Sequence, residues 1–187
     1  FIKSLRNVSR VDLGLETENV VTFALAPALN GYPTLRSMAL FDRVEEDIAR
    51  IPGVTAAVGS GMPILANSSN GGNVHVEGFE AGPDADVNTR QNRVGAGSFH
   101  ALGIPLIAGR EFTAADRLGA PKVAIVNEAV VRKFKLGRDP VGKRTGDGRD
   151  APLDYEIVGL VKDAAYSDVK QKAPPVLYYS IRQDTSL

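Results

Sequence analysis

The stretch GRDPVGKRT, residues 137–145, comes closest to a motif with known chemistry. Gly137, Gly142 and Lys143 have the spacing of a G-x-x-x-x-G-K phosphate-binding loop. Arg144, however, occupies the position at which such a loop carries the Ser or Thr that binds magnesium. The elements before and after the stretch therefore decide whether it binds a nucleotide or only turns the chain.

Those flanking elements favour a turn. A phosphate loop leaves a strand and opens a helix, so that free amide groups face the phosphate. Here Asn127 caps a predicted helix from Glu128 to Leu136, and Gly137 is expected as the C-terminal cap of that helix. The residues from Asp139 to Gly142 suit a type I turn with proline at its second position, and no helix is predicted after them.

A metal-dependent enzyme is the alternative suggested by the chain's two histidines. His75 and Glu77 form an H-x-E pair on a predicted strand, and His100 is the second histidine. Two histidines and one carboxylate are the ligand set of a non-haem iron site. Alternating strands also expose such polar pairs to solvent without binding metal, so a solvated strand face competes with this interpretation.

Six basic residues and one acidic residue lie between Arg132 and Arg144. Such a patch could bind anions or an acidic protein, which makes an anion-binding module a second alternative. Phe134 is its only aromatic residue and is needed on the buried face of the predicted helix, so a base-stacking surface is not expected. A solvated basic face or a docking patch is the favoured interpretation.

The composition excludes several classes of function. The chain has 187 residues, 22 basic and 22 acidic, so its net charge does not favour binding to nucleic acid or to an anionic membrane. It has no cysteine, which excludes disulfides and thiolate catalysis. The weakly polar stretch from Val20 to Leu29 contains Pro27 and is much shorter than the ~20 residues that span a bilayer. The chain begins with Phe1, which suggests an excised fragment that could adjoin membrane segments.

A strand, helix, strand unit is predicted near the start of the chain. Apolar residues at steps of three and four predict a helix from Thr34 to Ile51, which ends at a Pro-Gly pair. Residues 19–26 and 54–60 are rich in β-branched or small apolar residues and predict strands on either side of it. The helix carboxylates are expected to lie mostly on its solvated side; they are Asp42, Glu45, Glu46 and Asp47.

The rest of the chain predicts mostly strands. A short helical turn is expected from Ser98 to Leu102, and residues 104–112 are expected to be extended with a bend at Gly109. The remaining predicted strands cover residues 73–79, 87–95, 122–127, 155–163 and 175–181. The fold class expected from this pattern is α+β.

Four stretches, taken in order, resemble one family. They are NVVTFALA…YPTLRSMALFDRVEEDIARIPGVTAA, GSFHALGIPLIAGREFTAAD, VAIVNEAVVRKFKLGRDPVGKR and YEIVGLVKDAAYSDV…PPVLYY. This series is similar to the extracytoplasmic domain of MacB-like ABC transporter permeases, the FtsX-related group. The resemblance covers most of residues 7–181, and the ordered series is more specific than any single piece.

The resemblance implies a two-lobed domain. Residues 1–15 would be the remnant of a juxtamembrane helical stalk. Residues 16–87 and 151–187 would form a porter-like βαβ sandwich lobe, and residues 88–150 a second, mixed β-rich lobe of the Sabre type. Relatives continue past the strand that LYYS resembles, so the porter-like lobe is expected to be incomplete at its C-terminus, with an uncovered sheet edge.

The resemblance also implies a function without catalysis. It places the domain on the periplasmic side of a bacterial inner membrane, in an export permease that transmits movement and contacts a substrate or partner. The implied partners are a cytoplasmic ATP-binding subunit or domain, a second permease copy and a periplasmic protein, with no nucleic acid, cofactor, metal or catalytic residue. Lys135 and Leu136 replace the Trp-Pro pair of relatives, so contacts of that turn are not carried over.

Overall fold

The computed structural model describes residues 13–62, 70–165 and 172–185. Its α-helices are α1 (Thr34–Ala49), α2 (Ser98–Ala101) and α3 (Glu128–Lys133), and two 3-10 turns cover Pro27–Asn30 and Ile181–Gln183. Its strands are β1 (Asn70–Val76), β2 (Asn88–Val94), β3 (Leu106–Gly109), β4 (Val123–Asn127), β5 (Arg144–Asp147), β6 (Tyr155–Val161) and β7 (Val176–Ser180).

Six of these strands pair into a closed ring, which we call the barrel. The order around the barrel is β1, β2, β7, β4, β6 and β5, and the pairing of β5 with β1 completes it. The β2–β7 and β4–β6 pairs are parallel, and the other pairs in the ring are antiparallel. Strand β3 lies outside the ring and pairs antiparallel with the C-terminal half of β6.

The interior of the barrel contains an apolar cluster. Buried side chains from β1, β4, β6 and β7 belong to it, and only the interior of a ring brings such distant strands together. Phe134 and Leu136, which follow α3, are buried in the same cluster, and Phe79 meets Phe134 edge to face at 5.1 Å. The strand members of the interior cluster are Val74, Val76, Ala124, Val126, Ile157, Leu160, Leu177 and Tyr179.

A second apolar cluster covers the outer face of four adjacent strands. It uses the alternate side chains of β2, β7, β4 and β6, as expected for strands buried on both faces. Phe99 from α2 packs edge to face on Tyr178 at 4.9 Å, and Ile104 and Phe112 complete the cover. The short helix α2 therefore closes the outer side of the sheet.

The strands predicted after residue 70 are confirmed within a few residues. Predicted strands at 73–79, 87–95, 122–127, 155–163 and 175–181 correspond to β1, β2, β4, β6 and β7. The bend at Gly109 is also confirmed, since this residue has φ of 74° at the end of β3. The predicted α+β fold class is confirmed as well.

The two strands predicted beside α1 are wrong. Residues 19–26 form no strand, and residues 54–60 contribute only an isolated bridge between Ser60 and Val94. Strand propensity gives a strand only where a second strand satisfies the backbone, and no described segment pairs along residues 19–26 or 54–59. The helix between them is confirmed, although it ends at Ala49 rather than Ile51.

The sheet runs across the boundaries predicted for the two lobes. Strands β6 and β7 pair with strands from residues 88–150 in the same barrel. The division into a porter-like and a Sabre-like lobe stays a prediction. The predicted stalk at residues 1–15 lies mostly outside the described residues, which begin at Leu13.

The close packing of β6 against the end of β3 makes a stability prediction at Gly159 in β6. A Cβ atom there would lie 2.4 Å from the backbone oxygen of Arg110 and 3.2 Å from Ile125. We expect Gly159→Ala to lower the free energy of unfolding by about 1–3 kcal/mol, because packed backbone must move apart. Guanidinium denaturation followed by circular dichroism measures this loss.

Gly82 supplies the matched control, because nothing lies within 4 Å of the Cβ position there. Gly82→Ala is expected to change the free energy of unfolding by less than about 0.5 kcal/mol. Equal stabilities for the two alanine variants would contradict the close approach of β6 to Arg110.

Candidate coupling interface between the long helix and the barrel

Residues 16–60 form an arm that carries α1 outside the barrel. The arm begins where the Glu16 N–H donates to the Leu102 carbonyl at 2.7 Å. Just before it, the Ala165 N–H donates to the Leu13 carbonyl at 2.7 Å, and Leu15 packs against the outer cluster. The first end of the arm is therefore held against the barrel next to α2.

The second end of the arm extends the sheet beside β2. The Gly95 N–H donates to the Gly59 carbonyl at 2.8 Å, and the Gly61 N–H donates to the Arg93 carbonyl at 2.7 Å. These two bonds flank the Ser60–Val94 bridge. A Cβ at Gly95 would lie 3.3 Å from the Gly59 nitrogen, so glycine allows the two backbones to approach closely.

Two carboxylates of helix α1 contact the second end of the arm and the turn that follows β7. Glu45 Oε1 accepts a hydrogen bond of 2.6 Å from the Gly59 N–H. Arg182, in the turn after β7, lies 2.7 Å from Asp42 Oδ1 and 3.8 Å from Glu45 Oε2. Asp42 and Glu45 are three residues apart, and this spacing places both side chains on one face of the helix. We call these four residues, Asp42, Glu45, Gly59 and Arg182, the latch.

The latch is continuous with the end of β2. The Arg93 side chain pairs with Asp184 at 2.8 Å, two residues beyond Arg182, while its carbonyl accepts from Gly61. Thr34, the first residue of α1, donates to the Thr185 carbonyl at 3.4 Å. The arm and the residues that follow β7 are thus joined mainly by polar contacts.

The environment of Glu45 disfavours its ionised form. Burial raises the pKa of the Glu45 carboxyl above its usual 4.5, and it outweighs the hydrogen bond from Gly59 and the nearby Arg182, which both lower it. The negative Asp42 raises the pKa further. The Glu45 carboxylate is therefore partly desolvated, and Arg182 is the one cation that it and Asp42 both contact.

The apolar face of α1 is only half covered. Met38, Phe41, Val44 and Ile48 are intermediate in exposure, whereas the barrel clusters contain side chains that are fully buried. Along the solvent side of the helix, Arg50 pairs with Asp47 at 2.6 Å. The contact of α1 with its neighbours is therefore half-exposed and largely polar, which resembles an interface between domains more than a protein core.

The predicted solvation of the α1 carboxylates is half right. Glu46 and Asp47 face solvent as expected. Asp42 and Glu45 were also predicted on the solvated side, but they contact Arg182. The sequence carries no local signal for this pairing, because Arg182 is more than 130 positions away and reaches α1 only through the barrel.

The G-x-x-x-x-G-K stretch is part of a turn and not a phosphate loop. Lys143 is followed by strand β5 and not by a helix. The Lys143 N–H donates to the Pro140 carbonyl at 3.2 Å, and Gly142 at the third position has φ of 87°. The predicted turn is therefore shifted by one residue, since it begins at Pro140 rather than Asp139.

The predicted glycine cap of α3 is also displaced. The helix ends at Lys133, and the left-handed residue after its cap is Lys135, with φ of 52°. The Leu136 N–H then donates to the Val131 carbonyl at 3.1 Å. Burial of Leu136 in the interior cluster accounts for the early end, because this side chain must turn inward. The Asn127 cap is confirmed, since its side chain accepts from the Val130 N–H.

The candidate iron ligands are engaged elsewhere. The His75 Nδ1 lies 2.9 Å from the Ala151 carbonyl, and Glu77 Oε2 accepts from the Arg144 N–H at 2.8 Å. An open cleft of about 480 Å³ lies beside these two side chains, and His100 is not among the residues that line it. No cluster of three metal-binding side chains occurs in the described ranges 13–62, 70–165 and 172–185.

The basic patch is partly neutralised by ion pairs. Arg132 pairs with Asp163, and Lys133 pairs with Asp86 at 2.8 Å. Arg144 donates to the Leu153 carbonyl at 2.7 Å. Three basic side chains of the patch make no hydrogen bond or ion pair with any described residue; they are Lys135, Arg138 and Lys143. The patch therefore presents fewer free cations than its sequence indicates.

The latch makes a prediction about the charge of Glu45. Glu45→Gln keeps an oxygen that can accept from Gly59 and removes the buried charge, so we expect its free energy of unfolding at pH 7 to equal or exceed that of the wild type. Because the folded pKa of Glu45 is raised, the cost of ionising it is absent below pH 4.5 and grows as the pH rises. The free energy of unfolding of Glu45→Gln should therefore rise relative to that of the wild type between pH 4.5 and pH 7, as measured by guanidinium denaturation.

Glu45→Ala is the companion variant, because it removes the acceptor and leaves the Gly59 N–H without one. We expect it to cost about 1 kcal/mol and to accelerate hydrogen exchange at Gly59 and in α1. If Glu45→Gln loses stability relative to the wild type as the pH rises, the prediction is wrong and the ionised Glu45 carboxylate stabilises the fold.

Comparison with known proteins identifies the family. A family model described as the MacB-like periplasmic core domain matches residues 6–184. No curated protein sequence is significantly similar to the chain. None of the helices in the described part of the chain is long and apolar enough to cross a membrane.

Two crystal structures are similar to the chain. The periplasmic region of MacB from Actinobacillus actinomycetemcomitans has a TM-score of 0.50 and 17% identity, over 74% of this chain and 54% of that chain. The extracellular domain of the noncanonic ABC-type transporter YknZ from Gram-positive bacteria has a TM-score of 0.49 and 15% identity, over 75% of this chain and 62% of that chain. The match therefore spans 54% and 62% of the lengths of these two structures. The resemblance predicted from the sequence is confirmed by the family model, and the chain belongs to the MacB-like periplasmic core domain family.

Proposed function

We propose that the chain is the extracytoplasmic domain of an FtsX-related ABC permease of the export type, and that it transmits movement without catalysing a reaction. The domain lies on the periplasmic side of a bacterial inner membrane and is anchored by flanking membrane segments. Its partners are a cytoplasmic ATP-binding subunit or domain, a second copy of the permease and a periplasmic protein. Family membership supports the transporter setting.

The attachment of the arm is the observation that carries the mechanical role. The arm is tied to the barrel at its two ends and by the latch, while residues 21–25 make no hydrogen bond to any described residue. A segment held at few points can rotate about those points when its anchors move, as in hinge motion. The barrel, with two buried clusters, acts as the rigid body against which the arm moves.

The latch is suited to this role because its contacts are few and polar. Exposed or half-exposed ion pairs contribute about 0–1 kcal/mol each, and a hydrogen bond adds about 1 kcal/mol. Opening the latch therefore costs far less than disrupting a barrel core. A small movement of the flanking membrane segments is therefore enough to change the populations of the arm with the latch contacts formed and with them broken.

Cross-linking across the latch tests the coupling. In the full-length transporter, Asp42→Cys and Arg182→Cys would be joined by a short bis-maleimide that contains a cleavable disulfide. We expect the cross-linked transporter in lipid nanodiscs to lose most of its coupled ATP hydrolysis, because the arm can no longer move against the barrel. Reduction of the linker should restore the rate.

Each single-cysteine variant, treated with the same reagent, controls for modification alone; this chain contributes no cysteine of its own. Full cross-linking with an unchanged rate of ATP hydrolysis would refute movement at the latch. If the single-cysteine controls also lose ATP hydrolysis, the loss comes from replacing or modifying a side chain and not from blocked movement, which would contradict hinge motion at the latch.

A further inference from the structure

The open cleft of about 480 Å³ at the end of β1 is built entirely from the barrel. Residues 75–80, which are the end of β1 and the turn after it, supply most of its lining, and Leu153 in the loop before β6 completes it. Both segments are tied to the first residue of β5. The Glu77 N–H donates to the Arg144 carbonyl at 2.9 Å, and Arg144 Nε donates to the Leu153 carbonyl at 2.7 Å. The cleft therefore involves neither the arm nor the residues that follow β7.

The polar side chains that line the cleft offer hydrogen-bond acceptors. The His75 Nδ1 lies 2.9 Å from the Ala151 carbonyl oxygen, which can only accept, so Nδ1 carries the hydrogen and Nε2 of the neutral ring is an acceptor. Glu77 Oε2 accepts from the Arg144 N–H, and Oε1 has no partner among the described residues. The Glu80 carboxylate makes no hydrogen bond or ion pair within the described part of the chain. A complementary ligand therefore supplies N–H donors.

The charge of the lining favours a cation. Glu77 and Glu80 line the cleft, and no basic side chain does. Two arginines of neighbouring segments are held by backbone carbonyls instead, Arg144 by Leu153 and Arg149 by Ala85, each at 2.7 Å. Neither glutamate forms an ion pair with a side chain in residues 13–62, 70–165 or 172–185. A positively charged ligand would supply the missing partner.

The shape and apolar part of the cleft favour an organic cation over a metal ion. No cluster of three metal-binding side chains occurs in the described ranges of the chain. Val76, Phe79 and Leu153 provide apolar surface next to the carboxylates, and Phe79 is fixed by its edge-to-face contact with Phe134. The volume lies within the ~300–1,000 Å³ that is typical of sites for organic ligands.

We propose that this cleft binds an ammonium or guanidinium group carried on an apolar body. Glu77 and Glu80 pair with the cation, and His75 Nε2 accepts one of its hydrogens. Phe79 and Leu153 contact the apolar part. Two sources share this chemistry, a free organic amine and a Lys or Arg side chain of another protein. The site depends on the barrel alone and is independent of the proposed coupling function.

A titration with two probes tests the site and distinguishes the sources. The isotope-labelled 187-residue chain would be titrated, with NMR detection, with 4-phenylbutylamine and with the blocked peptide acetyl-Ala-Leu-Arg-Leu-Ala-amide. We expect the amide signals of residues 75–80 and 153 to shift, with a dissociation constant on the order of 1–10 mM for a ligand of this size. Tighter binding of the amine supports a free ligand, and tighter binding of the peptide supports a protein side chain. The uncharged 4-phenylbutanol should bind more weakly than the amine.

Glu80→Gln removes one negative charge and keeps the size of the side chain. We expect it to weaken binding of the better probe by ~3–5-fold, as for a solvent-accessible ion pair. Glu46→Gln is the matched control, because Glu46 is an exposed carboxylate on α1, away from the cleft. It should leave the dissociation constant unchanged. The absence of shifts at residues 75–80 and 153 with both probes would overturn the proposal. Equal affinity for the alcohol and the amine, or equal effects of the two glutamine substitutions, would overturn it as well.

Discussion

Closure of the barrel is the constraint on which the other features depend. Strand β6 pairs with β4 along one edge and with both β5 and β3 along the other, so its position fixes three neighbouring strands at once. The turn into β6 is tight, because a Cβ at Gly146 would lie 2.4 Å from the Pro152 carbonyl oxygen. Closing the ring pairs each of its six strands on both sides and creates an apolar interior.

The barrel and the arm differ in what stabilises them. Side chains such as Phe134, Ile157 and Leu177 are almost completely buried, and each contributes about 1.5–3 kcal/mol by leaving water. The arm depends instead on backbone bonds at its ends and on the shared pairing of Arg182 with Asp42 and Glu45. The molecule therefore combines a stable body with a part that can change position at small energetic cost.

The arm presents two surfaces of opposite character. Asp42 and Glu45 direct polar contacts to the residue that follows β7, while residues 19–35 present uncharged apolar side chains to solvent. A polar contact is easily exchanged for water, whereas exposed apolar side chains gain free energy when they are covered. In the proposed function, the polar contact lets the arm move against the barrel.

The sequence by itself determined the features that depend on nearby residues. The spacing of Met38, Phe41, Val44 and Ile48 predicted α1, and Asn127 predicted the start of α3. The ordered stretches also predicted the family. These signals are local, because capping and helical periodicity involve residues a few positions apart.

Only the tertiary structure decided the features that need a distant partner. Residues 19–26 have strand composition but no described strand beside them, and Leu136, immediately before the expected glycine, turns inward because it is buried in the barrel interior. Asp42 and Glu45 look like solvated carboxylates until the barrel places Arg182 beside them. Hydrogen bonding between strands, burial and ion pairing depend on distances in space, and those distances are set when the ring of strands closes.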